Sequence, residues 1–167
     1  MKHPRMAVAA LSLSAAGLVG ILLSEDYTDR AIIPTKNDRP TVGFGSTFKE
    51  DGTPVSMQDR IKPPQAVKLA LTHIQKDELN LKQCVIGDMS QIEWDILVDF
   101  AYQYGTRATC RSSMVRFINA GQYEAACNAY TLYKFSGGYD CSIPGNKVCS
   151  GVWKRNLKRR DECLAAQ

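Results

Sequence analysis

Hydrophobic and polar positions change their spacing twice along the chain, and each change marks a boundary. Met6 to Leu23 runs for eighteen positions without a charge, behind Lys2 and Arg5, and predicts an N-terminal apolar helix. Val8, Leu11, Ala15, Leu18 and Leu22 recur there at helical spacing, so one stripe is available to pack on a protein core. From Glu25 to about Asp59 the long apolar periods vanish and turn residues accumulate: Pro34, Asn37, Asp38, Pro40, Gly43, Gly45, Asp51, Gly52 and Pro54. Short strands and loops are expected. Thr41-Val42-Gly43-Phe44-Gly45 alternates β-branched or aromatic residues with glycine, as in a strand that another backbone or a ligand approaches closely.

After Pro63-Pro64 the period becomes helical. Ala66, Leu69, Ala70, His73 and Ile74 share a face, and Asp77 and Glu78 close that segment before Asn80. His73 reads as a packed helix residue and not as a catalytic base. Ser90 with Glu93 forms a capping box that opens a helix of Ile92, Ile96, Leu97, Phe100 and Ala101, stopped at Gly105. Ser112 or Ser113 caps another helix through Ile118, and Tyr123 to Tyr133 makes a third. Gly137-Gly138 breaks the chain before a last helix around Val152 to Leu164. The fold class is α+β: a small strand-and-loop lobe over 25–60 and a larger helical lobe over 61–167, preceded by the apolar segment 1–24. A ligand would lie between the lobes.

At 167 residues the chain has room for one core, and its ordinary apolar and charged content excludes disordered and fibrous classes. The net charge of +4 is concentrated late, in Lys147, Lys154, Arg155, Lys158, Arg159 and Arg160. That favours an anionic partner, while the lack of a recognised motif or interleaved aromatics argues against nucleic acid. The six cysteines, Cys84, Cys110, Cys127, Cys141, Cys149 and Cys163, are too widely spaced for a zinc site, so no metal or other cofactor is expected. Disulfides are the better reading and require an oxidising compartment. The apolar run sits at the bottom of the membrane-spanning length and half of it is small or hydroxylated, so it would insert weakly. An uncleaved anchor is favoured over a cleaved signal peptide cut after Ser14-Ala15-Ala16, because the chain turns polar only at Ser24.

Cleaving a glycosidic bond needs a carboxylic acid that protonates the leaving oxygen, and usually a second group that activates water. Glu25, at the end of the apolar run, is the prime candidate for the acid. Glu25-Asp26-Tyr27, Pro34-Thr35 and Pro40-Thr41-Val42-Gly43-Phe44-Gly45-Ser46-Thr47 resemble the active-site region of phage lysozymes of glycoside hydrolase family 24. The resemblance extends through Gln91 to Gly105, Ser112 to Gly121, and Gly151-Val152 with Lys154-Arg155. The weak anchor ahead of Glu25 is similar to that of signal-anchor-release endolysins of phages and prophages.

The resemblance implies a lysozyme-like fold and a muramidase that cuts the β-1,4 bond between N-acetylmuramic acid and N-acetylglucosamine during host cell lysis. It implies Glu25 as general acid and Thr41 as the residue holding the attacking water or the sugar. The family pattern is a Glu, eight residues, an Asp or Cys, five residues and a Thr. Counting back five intervening residues from Thr41 gives Thr35, so a hydroxyl stands where the family has its Asp. Asp26, Asp29 and Asp38 are the substitutes on offer, and Arg155 is expected to pair with Glu25. A chain without a base suits a lytic transglycosylase, which forms anhydro products; a non-catalytic wall-binding or membrane-disrupting protein is the remaining alternative. Among the fifteen disulfide connectivities, Cys84 with Cys110, Cys127 with Cys163 and Cys141 with Cys149 are favoured, two joining helices and one closing a loop. The expected partners are peptidoglycan glycan strands, the export machinery and, before release, the inner membrane. The expected location is membrane-tethered and then periplasmic, as a monomer without nucleic acid.

Overall fold

A computed structural model describes residues 3–34 and 38–167. In the small lobe, β1 (Thr28–Ile32) runs antiparallel to β2 (Thr41–Gly43), with Ile32 opposite Thr41, Thr28 opposite Gly43 and an irregularity between those pairs. Ala31, Val42 and Val55 are buried there, with Ile61 packed against them. The inward side chains are few because the lobe is small, and its seat on the rest of the molecule is a close backbone approach. Gly43, with φ of 67°, comes so near the next helix that a β-carbon on it would lie 2.9 Å from the Ala66 side chain.

That helix, α2 (Pro63–Leu81), starts with two prolines and buries Ala66, Leu69, Ala70, Ile74, Glu78 and Leu81 on one face. It is the spine connecting the lobes. In the helical lobe α3 (Gln91–Tyr104) is almost surrounded, with Trp94, Leu97, Val98 and Phe100 fully buried. Its start is the expected box: Ser90 Oγ accepts from Glu93 N at 3.3 Å and Glu93 Oε2 accepts from Ser90 N at 2.8 Å. Gly105, at φ 82°, ends it and leads into a short helix the periodicity did not signal, α4 (Thr106–Cys110). Ser112 caps α5 (Ser113–Asn119), and α6 (Tyr123–Ala129) passes into a 3-10 turn, Tyr130–Leu132, so the expected single helix to Tyr133 is two pieces. A hairpin of β3 (Phe135–Ser136) and β4 (Tyr139–Asp140) precedes α7 (Ser150–Ala165). Disulfides join Cys84 to Cys110, Cys127 to Cys163 and Cys141 to Cys149. The first ties the segment after α2 to α4 across α3, the second joins α6 to α7, and the third closes the loop into α7.

The N-terminal segment departs from the expected single helix. Val8–Ala10 is a 3-10 turn, the chain extends through Leu11, and α1 spans Ala15–Ser24 only. The break is set by Ser14, whose hydroxyl accepts from Gly17 N at 2.9 Å and so starts a new helix in its own register. The expected stripe is therefore split, with Ala15 exposed and Leu18 and Leu22 only half-buried, while Val8, Leu11 and, from outside the stripe, Ile21 are buried. These last three join Ile74, Leu81, Trp94 and Leu97 in the helical core. Polar groups of the body secure the extended stretch. Glu78 Oε1 accepts from Leu13 N at 2.6 Å and from Trp94 Nε1 at 2.9 Å, Gln91 Nε2 donates to Ser12 O at 2.8 Å, and Asp95 Oδ1 accepts from Ser14 N at 2.9 Å. Further back, Arg5 grips the buried Glu93 and lies over the Tyr123 ring. Among the described residues no helix is long and apolar enough to cross a membrane.

Candidate active site

Glu25 is the residue at which α1 stops, with extended φ and ψ of −109° and 134°. The docking of α1 on α3 therefore decides where its carboxylate points. Arg155, on α7, donates from Nη1 to Glu25 Oε1 at 2.6 Å and from Nη2 to Asp99 on α3. Arg159, one turn further on, donates from Nε to Asp99 Oδ2 at 2.6 Å and from Nη1 to Asn156 Oδ1 at 2.6 Å. Glu25, Arg155, Asp99 and Arg159 thus alternate acid and base along one chain of hydrogen bonds. Burial alone would raise Asp99, but Arg159 and Arg155 outweigh it and hold this carboxyl below the usual range. Burial would weaken the proton on Arg155, and Asp99 together with Glu25 reverses that, keeping the guanidinium charged.

The second oxygen of Glu25 faces the small lobe. A β-carbon on Gly45 would lie 3.6 Å from Oε2, and Gly45 has φ of 79°, so only glycine keeps this approach open without strain. The same turn is fastened to the helical lobe, where Tyr102 donates to Phe44 O at 2.6 Å, and Phe44 lies against Tyr27 with ring centroids 5.4 Å apart. Burial and the nearby carboxylates of Glu25 and Asp77 raise the Tyr102 phenol above its ordinary range, so it stays a donor. A groove of about 590 Å³ runs between the lobes, lined by Thr47, Phe48, His73, Asp77 and Thr106. Burial pushes Asp77 up to about 6, and burial with Lys76 holds His73 below its ordinary value. What this arrangement offers is one carboxyl anchored at one oxygen by Arg155, with its other oxygen toward the Gly45 turn of the small lobe.

The other residues singled out from the sequence are dispersed. Thr41 opens β2, half-buried and opposite Ile32. Thr35 lies outside the described residues. Asp26 is exposed after α1. Asp29 is exposed on β1 beside Arg30, and Asp38 accepts from Arg39 N at 3.0 Å. Asp99, Arg159, Asn156 and Tyr102 were not anticipated. A signal for the first two existed: Arg155 and Arg159 stand one turn apart on α7, and Asp99 is a lone acid inside an apolar helical run.

The phage lysozyme family profile matches residues 24–160. The chain belongs to that family. An endolysin of Bacillus phage B103 is 28% identical over 159 residues, covering 94% of this chain and 56% of that protein. The chain thus spans little more than half of that relative. An endolysin of Salmonella phage P22 is 30% identical over 98 residues, covering 59% of this chain and 67% of that one. Among solved structures, the endolysin from Escherichia coli O157:H7 phage FAHEc1 superposes with a TM-score of 0.78 at 26% identity, covering 95% of this chain and 96% of that chain. As a phage lysozyme the chain has the lysozyme-like fold, with Glu25, Gly45 and Arg155 all inside the matched span.

Proposed function

We propose that this phage lysozyme is a peptidoglycan-degrading endolysin, a muramidase that hydrolyses the β-1,4 bond between N-acetylmuramic acid and N-acetylglucosamine. The observation that carries the reading is the carboxyl of Glu25: fixed by Arg155 at one oxygen, with the other 3.6 Å from where a β-carbon on Gly45 of the small lobe would lie. A proton on that second oxygen is deliverable to a glycosidic oxygen bound beside it. Thr41, on the strand that leads into the Gly43–Gly45 turn, is assigned to the attacking water or the sugar.

The test is digestion of purified peptidoglycan by the wild type and by Glu25→Gln, with mass analysis of the fragments. Reducing-end products that fall by at least about a hundredfold in the variant are expected, the scale of a lost general acid. Equal activity of the two proteins overturns the assignment, and anhydro products replace hydrolysis by a transglycosylase reaction.

Localisation belongs to the same proposal. The uncharged run of Met6 to Leu23 tethers the exported chain to the inner membrane, and its release gives a periplasmic monomer whose disulfides form in that compartment. The half-small composition of the run supports an insertion weak enough to be reversed.

A further inference from the structure

The stretch from Leu132 to Cys149 holds apolar side chains that the fold leaves uncovered. Gly137 and Gly138 have φ of 56° and 85°, the signs required of a two-residue type I′ turn, and Phe135 pairs with Asp140 while Ser136 pairs with Tyr139. Cross-strand partners share a face, so Phe135 and Tyr139 point to opposite sides of the ribbon. Both rings are largely exposed, Phe135 at 60% and Tyr139 at 54%, with Lys134 Nζ 5.2 Å from the Phe135 ring centroid. Leu132, Ile143 and Val148 in the same stretch are also exposed.

This exposure is built, not slack. The Cys141–Cys149 disulfide closes the loop, Cys141 N donates to Lys134 O at 2.7 Å, and Asp140 accepts from Lys134 Nζ at 2.7 Å and Ser142 Oγ at 2.6 Å. Asn146 Oδ1 accepts from Val148 N and Cys149 N. The cross-link and these hydrogen bonds hold the exposed apolar side chains in fixed positions.

We propose that this hairpin docks on the surface of an anionic phospholipid bilayer, with Phe135, Tyr139 and Ile143 entering the headgroup boundary and the neighbouring lysines meeting phosphate. Two observations select this occupant over a glycan. Leucine, isoleucine and valine offer a sugar no ring face to stack on, whereas the bilayer boundary accepts aliphatic and aromatic side chains alike, and tyrosine suits that depth. The charge is also complementary: from 132 to 149 the chain carries Lys134 and Lys147 against the single acid Asp140, and since Lys134 pairs that acid the stretch keeps one positive charge, that of Lys147. A hairpin pairs its backbone groups internally, so shallow entry leaves few of them without a partner. Docked in this way, the enzyme would be held at the membrane by a segment separate from its apolar N-terminus.

Co-sedimentation of the full chain with vesicles of phosphatidylethanolamine and phosphatidylglycerol, and with vesicles of phosphatidylcholine alone, tests it. Binding to the anionic vesicles is expected, reduced about tenfold in the double variant Phe135→Ser with Ile143→Ser and retained in Phe135→Leu. A Phe135→Trp reporter is expected to shift its emission to the blue when anionic vesicles are added. Absence of that shift, equal vesicle binding by wild type and double variant, or a double variant that loses only sedimentation with cell-wall sacculi or only self-association, each overturns the proposal. Vesicle binding does not depend on catalysis, so inactivity of the wild type on peptidoglycan would count against the muramidase reading alone.

Discussion

Asp99 holds Arg155 at Nη2, opposite the Nη1 that Glu25 takes, and holds Arg159 as well. Replacing it by asparagine leaves two guanidiniums facing each other across a lost charge, at a cost of about 3 kcal/mol, the scale of a broken buried pair. The Asp99→Asn variant is therefore expected to unfold at lower urea and to lose turnover more than substrate affinity. The pH dependence has a definite sign. Asp99 is held below the usual carboxylate range in the native state, so its contribution is complete above that range and is lost as pH falls through the lower native value. The acid limb of the stability curve should be shallower in the variant. Asp77 runs the opposite way. Burial lifts it to about 6, so the native state binds this proton more tightly than the unfolded chain, and stability is lost as pH rises from about 4 towards 6. Asp77→Asn is expected to raise the melting temperature at neutral pH, worth about 1 kcal/mol after allowance for its partial exposure, and to match the wild type near pH 4. A variant that is less stable than the wild type at neutral pH would show that Asp77 has a structural partner when ionised.

At the scale of an element, α1 carries the site because Glu25 is its last step. Gly17 and Gly20 give a matched pair of tests. A β-carbon on Gly17 would lie 2.7 Å from Leu13 Cδ1 and 2.8 Å from Asp95 Cγ, whereas one on Gly20 meets nothing within 4 Å. Gly17→Ala should lift α1 off α3 and cost about 2 kcal/mol, with activity falling further than stability because Glu25 moves with the helix. Gly20→Ala should instead stabilise by about 0.5 kcal/mol through helix propensity, with activity kept. Thermal melts and turnover of both variants decide the matter, and equal effects would separate α1 from the site. The same helix shows what the sequence could and could not reveal. The boundaries at Ser90 and Ser112 were legible because capping is a local event between residues a few positions apart. The start of α1 at Ser14 was not, since its hydroxyl caps the helix while its backbone is held by Asp95, a residue distant in sequence. Glu25 and Arg155 were legible from motif position, but the bridge through Asp99 depends on how α3 and α7 pack, which no spacing records.

On the scale of the whole molecule, the N-terminal segment is both core and candidate anchor, and these roles exclude each other. Folded, it supplies Val8, Leu11 and Ile21 to the helical core and partners for Glu78 and Asp95. Drawn into a bilayer, it would leave Ile74, Leu81 and Trp94 uncovered on that side and take away two backbone donors that bind those carboxylates. Burial of three such apolar side chains is worth about 6 kcal/mol in all, so a well-folded body pulls on the segment with substantial free energy. A run that is half small or hydroxylated resists that pull weakly, and a leucine-rich one resists it strongly. Glu25 reaches Arg155, and through it Asp99, from the end of the seated α1, so a tethered form with α1 withdrawn is expected to be inactive. Replacing residues 6–23 by a leucine-rich span is thus expected to abolish lysis while the protein still accumulates in the membrane. Lysis at the wild-type rate from that variant would show that catalysis does not require α1 in its seat, and the coupling between anchor and active site would fall with it.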